Sequence, residues 1–423
     1  MRLRHRQVDA DGHAARDSHE RLVDALPPSP RVDPLGLSTV LLLGFALGRR
    51  TVVAGVEASV ATWDGREDPG RAASADDAYG LVPRADRPSD GELLELVVEA
   101  ARRETGDEPP IALLSGGRDS RLVLLALRAA GIRTRGALTT GSAPDRVVAR
   151  ALSSAVGVPL REVEPLAFSR RRFLDRHDEQ SYASLEHEWM EGAAAAARAT
   201  GAPITDGIGA GVLPTGGLLK PEPVGLWRAR RLDELAEWTL GHANGAGVGF
   251  HERLRVRGVP LAHPDDVRGE LVRVFRALEA LPNPLGAFSL VHWTGRGIAA
   301  SAFGLVGRGR RVVAPLFDRG VCEALLAFDL DDCLAGDWRE RLLARLDDTG
   351  VAHSVDDGSG RLGGWRRAMG ALRWKLAGRS LPPPLAEALD ASSDASGAER
   401  RFRRPALGLL LALDRSVGGV VPR

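Results

Sequence analysis

The residues that could do chemistry are concentrated in one short stretch, LLSGGRDSR, Leu113 to Arg121. It follows the apolar run PPIALLS and leads into SRLVLLALRAAG. A strand, a glycine-rich turn and a helix N-terminus in that order make an anion site. Gly116 and Gly117 lack a Cβ, so the backbone can approach a ligand closely. Their amides and those of the first helical turn can point inward as donors. The helix dipole adds roughly 0.3–1 kcal/mol for a negative group. Ser115 and Ser120 supply hydroxyl donors for phosphate oxygens. Asp119 would repel a bare phosphate, so its presence implies a bridging Mg²⁺, which prefers one or two carboxylates plus phosphate oxygens.

Lysine sharpens the reading. The chain contains only Lys220 and Lys375, behind Leu219 and Trp374, so the Gly-Lys-Ser/Thr ending of a γ-phosphoryl-transfer loop is absent. A loop that holds pyrophosphate without lysine suits ATP cleavage between the α and β phosphates. An acceptor carboxylate would take AMP, and pyrophosphate would leave.

The flanking elements can position such a loop. Ser89 to Glu92 is a capping-box pattern ahead of a helix with Leu93, Leu94, Val97, Val98 and Ala101 at helical spacing. PPIALLS fits a buried parallel strand, and the apolar helix behind the loop closes at Gly131. RTRGALTT, APDRVVARALSSAVG and PLREVEP continue as strand, helix and strand. This β-α-β-α-β order with short connections predicts an α/β fold built on a doubly wound parallel sheet. From about residue 170 the chain reads as largely helical, interrupted by APITDG as a strand and RRVVAPLFD as a strand or turn. Upstream, Asp33-Pro34 opens a buried helix expected to end near Gly48, and TVVAGVEASVATWDG reads as one or two strands. The predicted organisation is a flexible tail over 1–32, a short N-terminal unit and linker over 33–88, the α/β domain over 89–345 and a helical extension over 346–423. SVDDGSGRLGG and DASSDASGAE punctuate that extension.

SGGRDS resembles the SGGxDS loop of the PP-loop ATP pyrophosphatases. The wider resemblance, over about residues 33 to 345, is to the synthetase domain of asparagine synthetase and relatives such as β-lactam synthetase and lasso-peptide cyclases. IALLSGGRDSR, ALTTGSAPDRVVARALSSAVG, ITDGIGAGVLPTGG and VVAPLFDRGVCEALLAF carry it, in that order. The resemblance implies an adenine nucleotide alpha hydrolase-like sheet and an AMP-forming amide ligase using ATP and Mg²⁺. The substrate would be a small-molecule or peptide carboxylate, attacked by ammonia or an amine. On the resemblance, Leu114 and Leu138 line the adenosine pocket. Ser115, Gly116, Gly117 and Ser120 hold pyrophosphate, and Asp119 ligates Mg²⁺. Asp206 and Gly207 lie near the nucleotide, and Asp145 falls near an acidic position of the family.

Three departures stand beside it. Arg2 follows Met1 and both cysteines lie far downstream, so no glutamine hydrolysis is expected, and residues 33 to 64 read as a truncated remnant of a glutaminase-type domain. The position of an acidic Mg²⁺ ligand in the family's second loop is Gly211. A family lysine for the amide-forming step has Arg339 and Arg341 as its nearest basic counterparts, and arginine keeps the charge without the amine's proton chemistry. An alternative reading is therefore a catalytically impaired nucleotide-binding or scaffold protein of the same fold.

Composition narrows the rest. Hydrophobic residues make up 44% of 423, enough for a sizeable core in roughly two or three domains. The net charge of +1 gives no global sign of a nucleic-acid or membrane partner and counts against a tRNA-modifying relative. Cys322 and Cys333 form no zinc pattern and read as packed thiols in a reducing cytoplasm. The N-terminus has no signal-peptide core. HDE at 177–179 and EHE at 186–188 read as solvated helix faces, and RARR at 228–231 and GRGRR at 307–311 as exposed basic loops. Trp189, Trp227, Trp238 and Trp293 read as core or groove anchors.

Overall fold

The computed structural model describes residues 3–8, 20–60, 82–140, 143–164, 166, 169–209, 217–351, 381–390 and 397–422. Its centre is a parallel sheet of β3 (Ile111–Leu113), β4 (Gly136–Thr139), β5 (Leu160–Glu162), β6 (Ile204–Thr205) and β7 (Val312–Val313). The strand order is β5-β4-β3-β6-β7. The chain therefore builds outward from β3 through β4 to β5, then crosses back to place β6 on the other side of β3. That reversal makes the gap between β3 and β6 a topological switch point, where ligands of open α/β sheets bind beyond the carboxyl ends.

Alternation explains why both faces are covered. Within β3, Ala112 belongs to the core against one face, while Ile111 packs on the opposite side with Leu138, Val163 and Ile204. The first face is closed by α2 (Asp90–Thr105), α3 (Arg118–Ala129), α4 (Ala143–Ala155) and α14 (Trp338–Leu346), which packs on α3. The second is closed by α6 (Glu191–Arg198), whose small Ala194 and Ala197 let it lie close to the sheet. The expected capping box is present: Ser89 Oγ accepts from Glu92 N at 3.2 Å, and Ser89 N donates to Glu92 Oε2 at 2.8 Å.

A long wall runs along the second face. Residues Ser289–Ile298 and Ala300–Val306 are π-helical. The Ala299 amide donates to Thr294 O, and Gly307 N donates to Ala302 O at 2.9 Å, each five residues back. π-Turns of any length are rare and concentrate at functional sites.

The N-terminal residues depart from the expected tail. β1 (Leu3–Gln7) pairs antiparallel with β2 (Val56–Val60), and His5 is buried there. The pairing partner lies some fifty positions downstream, so local composition read residues 3–7 as polar tail. α1 (Pro34–Leu43) starts as expected, with Asp33 Oδ1 accepting from Leu35 N and Gly36 N at 3.0 Å each. It ends earlier than expected, because Gly44 adopts φ +88° and its amide closes on Val40 O. Arg296 ties this unit to the π-helical wall: Nη1 donates to Gly48 O at 2.6 Å and Ala58 O at 3.0 Å, and Nη2 to Arg50 O at 2.6 Å. The helix Gly397–Val417 covers α5 (Arg170–Glu179) at the far side. Among the described residues no helix is long and apolar enough to cross a membrane.

Candidate functional site

A cavity of about 210 Å³ opens at the switch point. Seven residues singled out in the sequence line it together: Leu114, Ser115, Asp119, Ser120, Leu138, Asp206 and Gly207. The loop takes the expected shape. Gly116 has φ +82°, and a Cβ there would lie 2.6 Å from Asp145 O, so α4 packs onto the turn at the one place where only glycine fits. Gly117 is the N-cap of α3. Ser120 Oγ donates to Gly117 O at 3.0 Å and accepts from Ser115 N at 3.2 Å, while Ser115 Oγ accepts from Gly117 N at 3.3 Å. The two serine hydroxyls thus brace the turn as well as bordering the cavity. Gly116 and Gly117 shape the loop from behind rather than lining the cavity.

Two carboxylates reach the cavity from different strands. Asp119 is in the first turn of α3 behind β3, and Asp206 directly follows β6. Gly207 makes their approach possible: a Cβ on it would sit 3.0 Å from the Asp119 Cβ and from Ser120 N. Asp206 accepts from Ile208 N at 2.8 Å. Burial, opposed by that bond and reinforced by the Asp119 charge, pushes its pKa up to about 6. Desolvation also raises Asp119, against the pull of Arg339.

Arg339, at the start of α14, does not line the cavity. It is buried behind Asp119, with Nη1 donating to Asp119 Oδ1 at 2.8 Å and Nη2 to Asp337 Oδ2 at 2.6 Å. Burial lowers its pKa, but the bonds to Asp337 and Asp119 outweigh that and leave it raised, so the charge is permanent. Arg118 reaches the same cluster through Glu340 at 2.9 Å and Asp337 at 3.8 Å. Arg341 points elsewhere, pairing with Asp90 at 2.9 Å. Gly211 and the rest of the 210–216 stretch lie outside the described residues.

The opposite wall was not anticipated. His187, Trp189, Met190 and Ala193 line the cavity together with Thr294, Ile298 and Ala302 of the π-helical wall. The two acidic-histidine triplets are not solvated helix faces. His177 is fully buried on α5, and its pKa falls well below the ordinary value through desolvation and the neighbouring Arg176. Glu186 and His187 sit in irregular chain, with 18% and 15% of their side chains exposed. Charge count misread both triplets, because their cover comes from far along the chain: the C-terminal helix over His177, and the π-helical wall beside Glu186 and His187. Trp189 is half exposed at the cavity and Trp293 stacks on Phe45 with centroids 6.2 Å apart. The basic clusters at 228–231 and 307–311 are surface ion-pair residues, such as Arg228 with Asp331 and Arg308 with Glu179 at 2.7 Å each. Both cysteines are buried, with thiol pKa values raised by desolvation.

No family model matches this chain, and no curated protein matches it. The geometry alone must carry the reading. Among the described residues no group of three or more His, Cys, Asp or Glu side chains is arranged to hold a metal by itself. Two carboxylates at one cavity, both with proton affinity raised by desolvation, suit a divalent ion whose remaining ligands are phosphate oxygens and water.

Proposed function

We propose that the protein is an AMP-forming, ATP-dependent amide ligase of the asparagine-synthetase-like PP-loop type, acting on a carboxylate with ammonia or an amine. The observation that carries this reading is the convergence of Asp119 and Asp206, from the ends of β3 and β6, on a glycine-turn cavity at the switch point. In this reading Leu114 and Leu138, which line the cavity, flank the adenosine, and the Gly116–Gly117 turn and α3 N-terminus receive pyrophosphate. Mg²⁺ held by Asp119 and Asp206 would neutralise charge on the phosphates. Arg339 positions Asp119 from behind, so its role is to fix that carboxylate rather than to touch the reacting atoms. The loop amides stabilise the departing pyrophosphate without reorganisation, the form of electrostatic catalysis that preorganised donors supply.

A second reading is a nucleotide-binding protein without turnover. It is favoured by the Arg339–Asp119 ion pair, which already satisfies part of the carboxylate the metal would need. The test uses Mg²⁺-ATP, ammonia and a pool of carboxylic acids, with AMP and pyrophosphate assayed against Asp119→Ala. Acid-dependent AMP from the intact loop alone supports the ligase. Tight Mg²⁺-ATP binding by calorimetry with no AMP moves the second reading ahead. ATP affinity unchanged in a folded Asp119→Ala sinks the loop assignment under both.

A further inference from the structure

The ionisable side chains among the described cavity-lining residues are Asp119, Asp206 and His187, and the ligase reading leaves His187 without a task. His187 adopts φ +68°, a left-handed conformation that L residues hold only where the surroundings over-determine it. Its Nδ1 lies 2.9 Å from Ser301 Oγ on the π-helical wall. Ser301 Oγ is itself fixed by a 2.8 Å bond from Gln180 Nε2, and the same Gln180 nitrogen donates to Glu186 O at 3.1 Å. The other ring nitrogen, Nε2, lies 4.0 Å from Glu186 Oε2. Glu186 is held in turn by Asn244 Nδ2 at 2.9 Å and Trp293 Nε1 at 3.3 Å, both on Oε1. Trp189 closes on the ring edge with centroids 6.1 Å apart. An imidazole at a cavity, oriented through one nitrogen and facing a carboxylate that would steady its cation, has the form of a general base.

We propose that His187 accepts the proton of the nitrogen that attacks the adenylated acid, with Ser301 and Glu186 as its positioning residues. The proposal rests on the ligase reading above. In the step, the nitrogen lone pair forms the C–N bond to the acyl carbon. The bond between that carbon and the AMP oxygen breaks, and its electron pair leaves on AMP. One N–H proton passes to the His187 ring, which later releases it to water. No oxidant or reductant is involved.

The experiment compares two nucleophiles on the same protein with Mg²⁺-ATP and the pool of acids. Both nucleophiles lose one N–H proton on acylation, but ammonia is largely protonated at neutral pH and needs a base, whereas the less basic hydroxylamine is present as the free, strongly nucleophilic amine and depends on one far less. His187→Ala is expected to lower amide formation from ammonia by about a hundredfold or more, the usual range for removing an acid–base group. Its hydroxamate yield should fall by roughly tenfold less, and added imidazole should restore amide synthesis. Glu186→Gln should show the same pattern more weakly. Equal loss of amide and hydroxamate without imidazole rescue overturns the proposal, as does full amide synthesis by folded His187→Ala. Where circular dichroism shows that His187→Ala perturbs the fold, Ser301→Ala decides: a lowered amide-to-hydroxamate ratio supports the base, and an unchanged ratio overturns it. Absence of acid-dependent AMP from the unmodified protein defeats the ligase reading, and the base with it, before any variant is made.

Discussion

A carboxylate held out of water prefers its proton, and Asp206 is such a group, with its pKa raised to about 6 by burial and by the charge of Asp119. Two consequences follow in opposite directions. The folded protein carries a penalty at pH values above that pKa, because the group would ionise more easily unfolded. The folded pKa is raised, so the penalty grows as pH rises from the ordinary carboxylate range through about 6. Asp206→Asn should therefore stabilise the fold at pH 7.5 by on the order of 1–3 kcal/mol in denaturant titrations. A metal must displace the same proton. Mg²⁺-dependent ATP binding should weaken by roughly tenfold per unit as pH falls below about 6, and Asp206→Asn should bind weakly at every pH. Calorimetry across that range checks both, and a flat profile in the unmodified protein would remove Asp206 from the metal site. Loss of function with gain of stability in one variant is the mark of a residue kept for its chemistry.

Elements meet at this site through glycines. The Gly116 turn lets α4 rest against the loop, and Gly207 lets the end of β6 rest against α3. Gly116→Ala would add a Cβ 2.6 Å from Asp145 O at φ +82°, combining a clash with left-handed strain. A loss of about 2–4 kcal/mol in stability is expected, with ATP binding lost as well. Gly207→Ala faces milder 3.0 Å contacts with Asp119 and Ser120. It should cost about 1–2 kcal/mol and reduce ATP affinity more than stability, because the strain falls on Asp119 itself. Equilibrium unfolding and ATP titration of the two variants separate these expectations. Ser89→Ala, at the far end of α2, should cost about 1 kcal/mol through the lost cap and leave ATP binding intact, since the cap lies away from the cavity.

At the scale of the whole molecule, three buried histidines stand at joints between units. His251 bonds Ser38 of α1 at 3.0 Å, His292 Nδ1 accepts from Gly48 N at 3.3 Å, and His177 lies under Gly408 of the C-terminal helix. Burial lowers their pKa values, to about 4 for His251 and about 3 for His292. Their contribution is fully present above the unfolded value near 6.5 and is lost as pH falls from there toward the folded values. By pH 5 the linkage amounts to about 2 kcal/mol for each of His251 and His292. Melting temperature should drop steeply below pH 6, and His251→Gln should flatten that slope. A pH-independent melting temperature between 7 and 5 would contradict the buried, neutral assignment.

What local sequence determined here is what local physics decides. The loop, its strand and helix, the capping box at Ser89 and the parallel βαβ order were all legible, because hydrophobic period, caps and left-handed glycines act over a few residues. Asp119 was legible in the loop itself, whereas Asp206 came only from the resemblance of ITDGIGAGVLPTGG to the family's second loop; both line the cavity. Tertiary structure decided the rest. Residues 3–7 became a strand because β2 offers an edge far along the chain. Arg339 became the clamp on Asp119 because α14 packs against α3 across some two hundred positions. His187 left the solvent for the cavity wall, and Glu186 for a place beside it, because Trp293 and Ser301 of the π-helical wall, a hundred residues later, bond them. Contacts of that sequence separation leave no periodicity to read; their energy exists only once the sheet has brought the segments together.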